Sequence, residues 1–351
     1  MNPFKHPILM SESGDYDPGP WGGYDFKEAR ASYTSNVVNR SYDDAKTSKK
    51  TKKDYVPKSI TTDSEAPVLI VCDVTNSMGS WPADIFAKLP YLDLEGKEYL
   101  GDTMAVSFIA VGDGFSDTHP LQVQEFSTGK DMEKCLKNLV IEKGGGSGFR
   151  ESYDLAALYA LNNVECPKAI RKPILIFIGD EALYNFVDKN LGEQWCYTKM
   201  KSSMSIEELF EQLRKKYSVY AILKPYGNSG TNVNEYSGTS KTVYEQWEGL
   251  LGADRIAMLP EAGRVVDVIF GLLANDTGRI EYFEEELKGR QTGAQVQTVM
   301  RSLATIHKAP VTVPKAKKIP KSQQPQGQVQ HSVTRRHNDD ENTKKSKSLI
   351  D

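Results

Sequence analysis

The stretch APVLIVCDVTNSMGS, residues 66–80, decides the fold. Its apolar run from Val68 to Val71 stops at Asp73. A continuous apolar run of this length suits a strand buried on both faces. Beyond it, Asp73, Thr75 and Ser77 alternate. A carboxylate and two hydroxyls thus stand at i, i+2 and i+4 where the strand ends.

Working outward, the same theme recurs in KPILIFIGDE, residues 172–181, an apolar strand ending on Asp180. TMAVSFIAVGD (103–113), SVYAILKP (218–225) and the short DRIAMLP (254–260) read as further strands, and LQVQEFS (121–127) alternates like an edge strand. WPADIFAKLPYL (81–92) reads as one short helix, and DMEKCLKNLV (131–140) and ESYDLAALYALNNV (151–164) are helical. SIEELFEQLRKKY (205–217) opens with Ser205 and Glu208 at capping-box spacing. AGRVVDVIFGLLAND (262–276) and RIEYFEEELKGR (279–290) close the series with helices. Alternating strands and helices predict an α/β fold. Its central sheet is doubly wound and mostly parallel, with one antiparallel edge strand and helices on both faces. In such sheets ligands bind beyond the carboxyl ends of the strands, where Asp73 and Asp180 both fall.

The chain has 351 residues, and 44 Lys plus Arg against 47 Asp plus Glu leave a net charge of -3. That near-neutral balance gives no whole-chain argument for nucleic acid or membrane binding. Cys72, Cys135, Cys166 and Cys196 have no metal-like spacing and predict reduced thiols in a cytoplasmic protein. No secretory leader is expected from MNPFKHPILMSESGDYD. No apolar run approaches the length of a transmembrane helix.

Three zones follow. Residues 1–64 are expected to be a partly ordered extension, with a solvated basic run at KTSKKTKKDY and aromatic anchors in Tyr16, Trp21, Tyr24 and Phe26. Residues 65–290 form the folded domain. Residues 291–351 are expected to hold a helix end and a disordered, basic and polar tail, which offers the only route to nucleic acid.

Asp73, Thr75, Ser77 and Asp180 are hard oxygen donors, the type that suits Mg²⁺ or Mn²⁺. Neutral hydroxyl ligands leave a metal electrophilic, ready to take an outside Asp or Glu carboxylate. Taken alone, each residue also fits a strand-end cap or turn. Asp113 and Asp117 in GDGFSD read as a tight turn, with a second cation as the alternative. GGGSG (144–148) lacks the Gly-Lys-Ser/Thr ending of a phosphate loop. The five histidines, His6, His119, His307, His331 and His337, are dispersed and pair with no nucleophile.

DVTNSMGS resembles the metal-ion-dependent adhesion site of von Willebrand factor type A domains, whose pattern is D-x-[ST]-x-S. LIVCD and ILIFIGDE match that family's first and fourth strands in type and order. The resemblance spans about residues 66–290 and is strongest to intracellular, prokaryotic and phage-type members. Gly112-Asp113, PLQVQEF, GGGSG and Glu151-Ser152-Tyr153 carry that part of it. It implies that Asp73, Thr75 and Ser77 form the first metal loop and that Asp180 supplies the acidic residue after the fourth strand. The family's second loop usually brings a Thr, which EKGGGSGFRES lacks, and Ser147, Glu151 and Ser152 are the candidates to replace it. Glu151 would add charge and metal affinity while lowering the appetite for an outside carboxylate. Proteins of this type often work beside AAA+ ATPases, a partner class the resemblance brings with it.

The expected function is therefore a Mg²⁺- or Mn²⁺-dependent module docking a partner's Asp or Glu, not an enzyme. A structural or assembly protein using the metal only for stability is the alternative. A haloacid-dehalogenase-type phosphatase needs a second carboxylate two residues after its nucleophile, where this chain has Thr75. It also needs a lysine after a later strand, and Lys172 precedes its strand.

Overall fold

The structure, a computed structural model, describes residues 55–141, 150–227 and 230–306. Tyr16, Trp21, Tyr24, Phe26, most of the basic run, the glycine-rich loop with Ser147, and the tail from 309 lie outside them.

Six strands form the main sheet: β1 (Pro67–Asp73), β2 (Ala105–Val111), β3 (Leu121–Val123), β4 (Ile174–Gly179), β5 (Ser218–Leu223) and β6 (Ile256–Met258). Their order across the sheet is β6-β5-β4-β1-β2-β3. Every pairing is parallel except β2 with β3, so the short β3 is the antiparallel edge strand. The order reverses between β1 and β4, which lie side by side with Cys72 opposite Ile178. That is the switch point where connections leave to opposite faces and open a crevice.

Ten helices cover the sheet among the described residues. They are α1 (Trp81–Lys88), α2 (Tyr91–Leu100), α3 (Lys130–Lys137), α4 (Tyr153–Asn163) and α5 (Lys189–Cys196). Then follow α6 (Ile206–Lys216), α7 (Gly238–Leu251), α8 (Val265–Thr277), α9 (Ile280–Arg290) and α10 (Gly293–Ser302). β1 shows why its residues are apolar throughout. Val68, Ile70 and Cys72 enter one core with α1, α2, α8 and α9, while Leu69 and Val71 enter a second with α4, α6 and α7. The period of two sends alternate side chains to opposite faces, and both faces are covered.

Several elements differ from the sequence reading. WPADIFAKLPYL is not one helix: Pro90 has no N–H to donate, and one helix ends at Lys88 while the next starts at Tyr91. Helices α5 and α7 are absent from the sequence reading, and the helix end expected after residue 290 is a separate helix, α10. Burial also runs past both ends of the 65–290 span. Tyr55, Val56 and Ile60 pack into one core, and Val299, Leu303 and Ile306 into the other. Ile60–Thr61 pairs with Val164–Glu165, tying the incoming segment to the end of α4.

Candidate metal centre

β1 and β4 end side by side, and the loops leaving them bring four of the predicted residues together. Asp73 Oδ1 accepts from the Thr75 backbone N at 2.8 Å and from Thr75 Oγ1 at 2.6 Å. Thr75 Oγ1 lies 3.1 Å from Ser77 Oγ, which donates to Asp180 Oδ1 at 2.9 Å. The short-range part is an Asx turn, built by an aspartate bonding its own backbone two residues on. The link from Ser77 to Asp180 spans 103 positions, and only the sheet brings it about.

Two residues that the sequence reading gave no role complete the geometry. Tyr153, at the start of α4, donates from its hydroxyl to Asp73 Oδ2 at 2.6 Å. It comes so near because residue 179 is glycine: a Cβ there would overlap the Tyr153 hydroxyl. Lys224 follows β5 and donates to Asp180 Oδ2 at 2.8 Å and to the Ser77 carbonyl at 2.6 Å. Its own N–H bonds Gly179 O, so it continues the strand pairing. The signal was available, since Lys224 ends a third parallel strand at the same sheet edge. It is also the lysine after a later strand that Lys172 does not supply.

Glu151 is placed beside this set, and Ser147 lies outside the described residues. Arg150–Glu151 pairs with Ala182–Leu183, just past Asp180. Glu151 is 3% exposed, and its Oε2 has no hydrogen-bond partner among the described residues. Burial pushes its carboxyl up to about 10, with Asp73, then Asp117, Asp113 and Glu181 adding to the rise. Burial likewise raises Asp73 to about 7, and the neighbouring Asp180 adds to this, against the hydrogen bonds from Thr75 and Tyr153. Glu181 is raised to about 7 by burial, with its Oε1 taken by the Tyr226 hydroxyl and its Oε2 unpartnered. Ser152 turns elsewhere: its Oγ accepts from Gly114 N at 2.8 Å. Asp113 closes the turn expected of it, accepting from Phe115 N, Ser116 Oγ and the Tyr184 hydroxyl.

The sequence of the whole chain matches no family model and no curated protein. Among solved structures, it is similar to the pilus adhesin SpaC from Lactobacillus rhamnosus GG at 12% identity and TM-score 0.41, over 70% of this chain and 34% of the adhesin. The open conformation of that adhesin gives 11% and 0.40. Proximal thread matrix protein 1 from the mussel byssus gives 11% and 0.40, over 62% of this chain and 49% of that one. The chain spans about a third of the adhesin's length and half of the matrix protein's. Likeness at that level says nothing of function.

Whether these residues suit a divalent cation is decided by the donors. Among the described residues, no three His, Cys, Asp or Glu side chains converge as a metal-holding group. What converges is two carboxylates and two hydroxyls, an all-oxygen set of the kind Mg²⁺ and Mn²⁺ accept alongside retained waters. Asp73 and Asp180 are 0% and 1% exposed, and two carboxylates in a dry site repel each other, a cost that Lys224 offsets at Asp180 and that a divalent cation would offset at both. The donor chemistry fits. The donors also lie deeper than a strand-edge reading suggests: Asp73 and Thr75 are fully buried and Ser77 is only partly so.

Proposed function

We propose that this chain is a divalent-metal-dependent protein-docking module of the von Willebrand factor type A kind. Asp73, Thr75, Ser77 and Asp180 would hold Mg²⁺ or Mn²⁺, with Glu151, and Ser147 from the glycine-rich loop, as further candidates. The metal would supply a Lewis-acidic position for a partner's Asp or Glu. One observation carries the reading: the continuous contact chain Asp73–Thr75–Ser77–Asp180 across the switch point of the sheet. The strand order, with one antiparallel edge, supports it as well.

Binding is favoured over phosphoryl transfer because Thr75 stands two residues after Asp73, where that chemistry needs a second carboxylate as general acid. The cysteine usage, four scattered residues with no paired spacing, favours a cytoplasmic location, and no helix of the described residues is long and apolar enough to cross a membrane.

The test is calorimetric titration of the full chain with Mg²⁺ and with Mn²⁺, beside Asp73→Asn. The amide keeps the shape and most hydrogen bonds but removes the charge. Wild type should bind and the variant should not. Saturating Mn²⁺ should also raise the melting temperature of wild type alone, since about 100-fold excess over Kd adds about 2.7 kcal/mol. Docking is then read directly: an Asp- or Glu-containing peptide should lower the water-proton relaxivity of the Mn²⁺-loaded protein by displacing metal-bound water. Unchanged relaxivity would leave the metal as a purely structural element.

A further inference from the structure

We infer that Lys224 is a built-in competitor for the metal: its ammonium group and a divalent cation contend for Asp180, so that cation entry releases the lysine. The inference deepens the metal-dependent reading above and rests on it.

Three observations carry it. First, the ammonium is not a loosely placed surface charge. It touches Asp180 Oδ2 at 2.8 Å and the Ser77 carbonyl at 2.6 Å, which are parts of two different loops of the site. Second, its reach is set by the fold. The Lys224 backbone N–H is bound to Gly179 O, one residue before Asp180, so the stem starts at the same sheet edge as the carboxylate it neutralises. Third, the side chain has somewhere to go. It is 22% exposed, against 2% for Asp180, and its Nζ already lies 5.8 Å from the ring centre of Trp81. A lysine stem can turn outward while Asp180 cannot.

The charge arithmetic then sets the direction. With Lys224 on Asp180, one of the two core carboxylates is already neutralised. A dication entering beside the ammonium meets like charge at contact range, in a place where screening by water is weak. Entry is eased when the ammonium leaves. Metal affinity is therefore scaled by the fraction of molecules in which Lys224 has left Asp180, about one in ten for a tenfold loss. The same contact gives the metal-free site a tethered cation of its own.

The experiment uses the full chain with Mn²⁺ as probe, by calorimetry, on wild type, Lys224→Met and Lys224→Arg. Methionine keeps the stem and removes the charge; arginine keeps the charge. Lys224→Met should bind Mn²⁺ at least about tenfold more tightly than wild type, and Lys224→Arg within about threefold of it. Adding Asp73→Asn to Lys224→Met should abolish binding, which places the gain at this site. Equal or weaker binding by Lys224→Met, beside a wild type that binds, overturns the competition and leaves the metal site standing. Absence of binding in both wild type and Lys224→Met overturns the metal reading itself.

A second measurement needs no variant to fold. Lys224 acetylation by acetic anhydride, followed by peptide mass spectrometry with the exposed Lys134 as internal standard, should quicken several-fold at saturating Mn²⁺. A rate that stays level or falls while calorimetry reports binding overturns the inference.

Discussion

At the residue scale, Gly179 and Tyr153 act as a pair. The hydroxyl of Tyr153 occupies the space a Cβ at 179 would take, and from there it reaches Asp73. Gly179→Ala should cost about 1–3 kcal/mol, the usual range for forcing atoms into a packed core. Tyr153→Phe removes the nearest obstructing atom, though the ring carbon behind it would still lie 2.7 Å from the new Cβ, so the double variant should lose less than the sum of the single losses without full relief. Additive losses in urea melts would break the proposed pairing. Asp154, the next residue, offers a pH signature away from the metal donors. Burial pushes its carboxyl up to about 8, with Asp113 and Asp188 adding to the rise, and its Oδ1 has no partner. The unfolded chain releases this proton near pH 4 and the folded chain only near 8. Between those values the folded state holds the extra proton, so stability falls as pH rises through the window. Asp154→Asn should therefore gain on wild type between pH 5 and pH 8, read as urea midpoints at both. An advantage that is flat with pH contradicts a buried, neutral carboxyl.

At the scale of elements, α4 matters most because it delivers Tyr153. Its carboxyl end is closed by a side chain from a different helix. Lys216, at the end of α6, donates to the carbonyls of Ala160, Leu161 and Val164 at 2.9, 2.8 and 2.7 Å. A cation at this position satisfies orphan carbonyls and meets the negative end of the helix dipole. Lys216→Met should cost about 1–3 kcal/mol in denaturant melts. It should also weaken Mn²⁺ binding less than Asp73→Asn does, since it acts on the element and not on the donors. Why α7 escaped the sequence reading is also a matter of elements. GTSKTVYEQWEGLL opens with glycine and β-branched threonines, which are poor helix formers. Yet Val243, Tyr244, Trp247, Leu250 and Leu251 are buried at helical spacing, and Trp247 Nε1 donates to the Glu181 carbonyl. The periodicity was present in the sequence but weak beside its breakers. The Ser205 signal was strong, and Ser205 does cap α6 through Glu208 N.

At the scale of the whole molecule, two cores on either face of one sheet make the switch point rigid, and their limits decide where the chain can be cut. Leu303 packs so closely on α8 that a Cβ at Gly271 would overlap it, and Val299, Leu303 and Ile306 are fully buried. A chain ending at residue 290 should lose about 5 kcal/mol or more relative to one ending at 306, since each buried aliphatic side chain contributes about 1.5–3 kcal/mol. That is comparable with the whole stability of an ordinary domain, so the shorter chain should melt without a cooperative transition. Equal melting of the two would remove α10 from the core. Much of this molecule was determined locally. The unbroken apolar runs specify strands buried on both faces, and the period of the flanking segments specifies covering helices. Asp73, Thr75 and Ser77 are neighbours along the chain, so their turn was legible from spacing alone. Asp180 was legible as a second strand end at the same edge, but only the tertiary structure fixed its contact with Ser77 and brought Tyr153 and Lys224 to the site. A contact across 103 or 147 positions depends on which strands lie side by side, and that order is settled by how both faces of the sheet are covered at once.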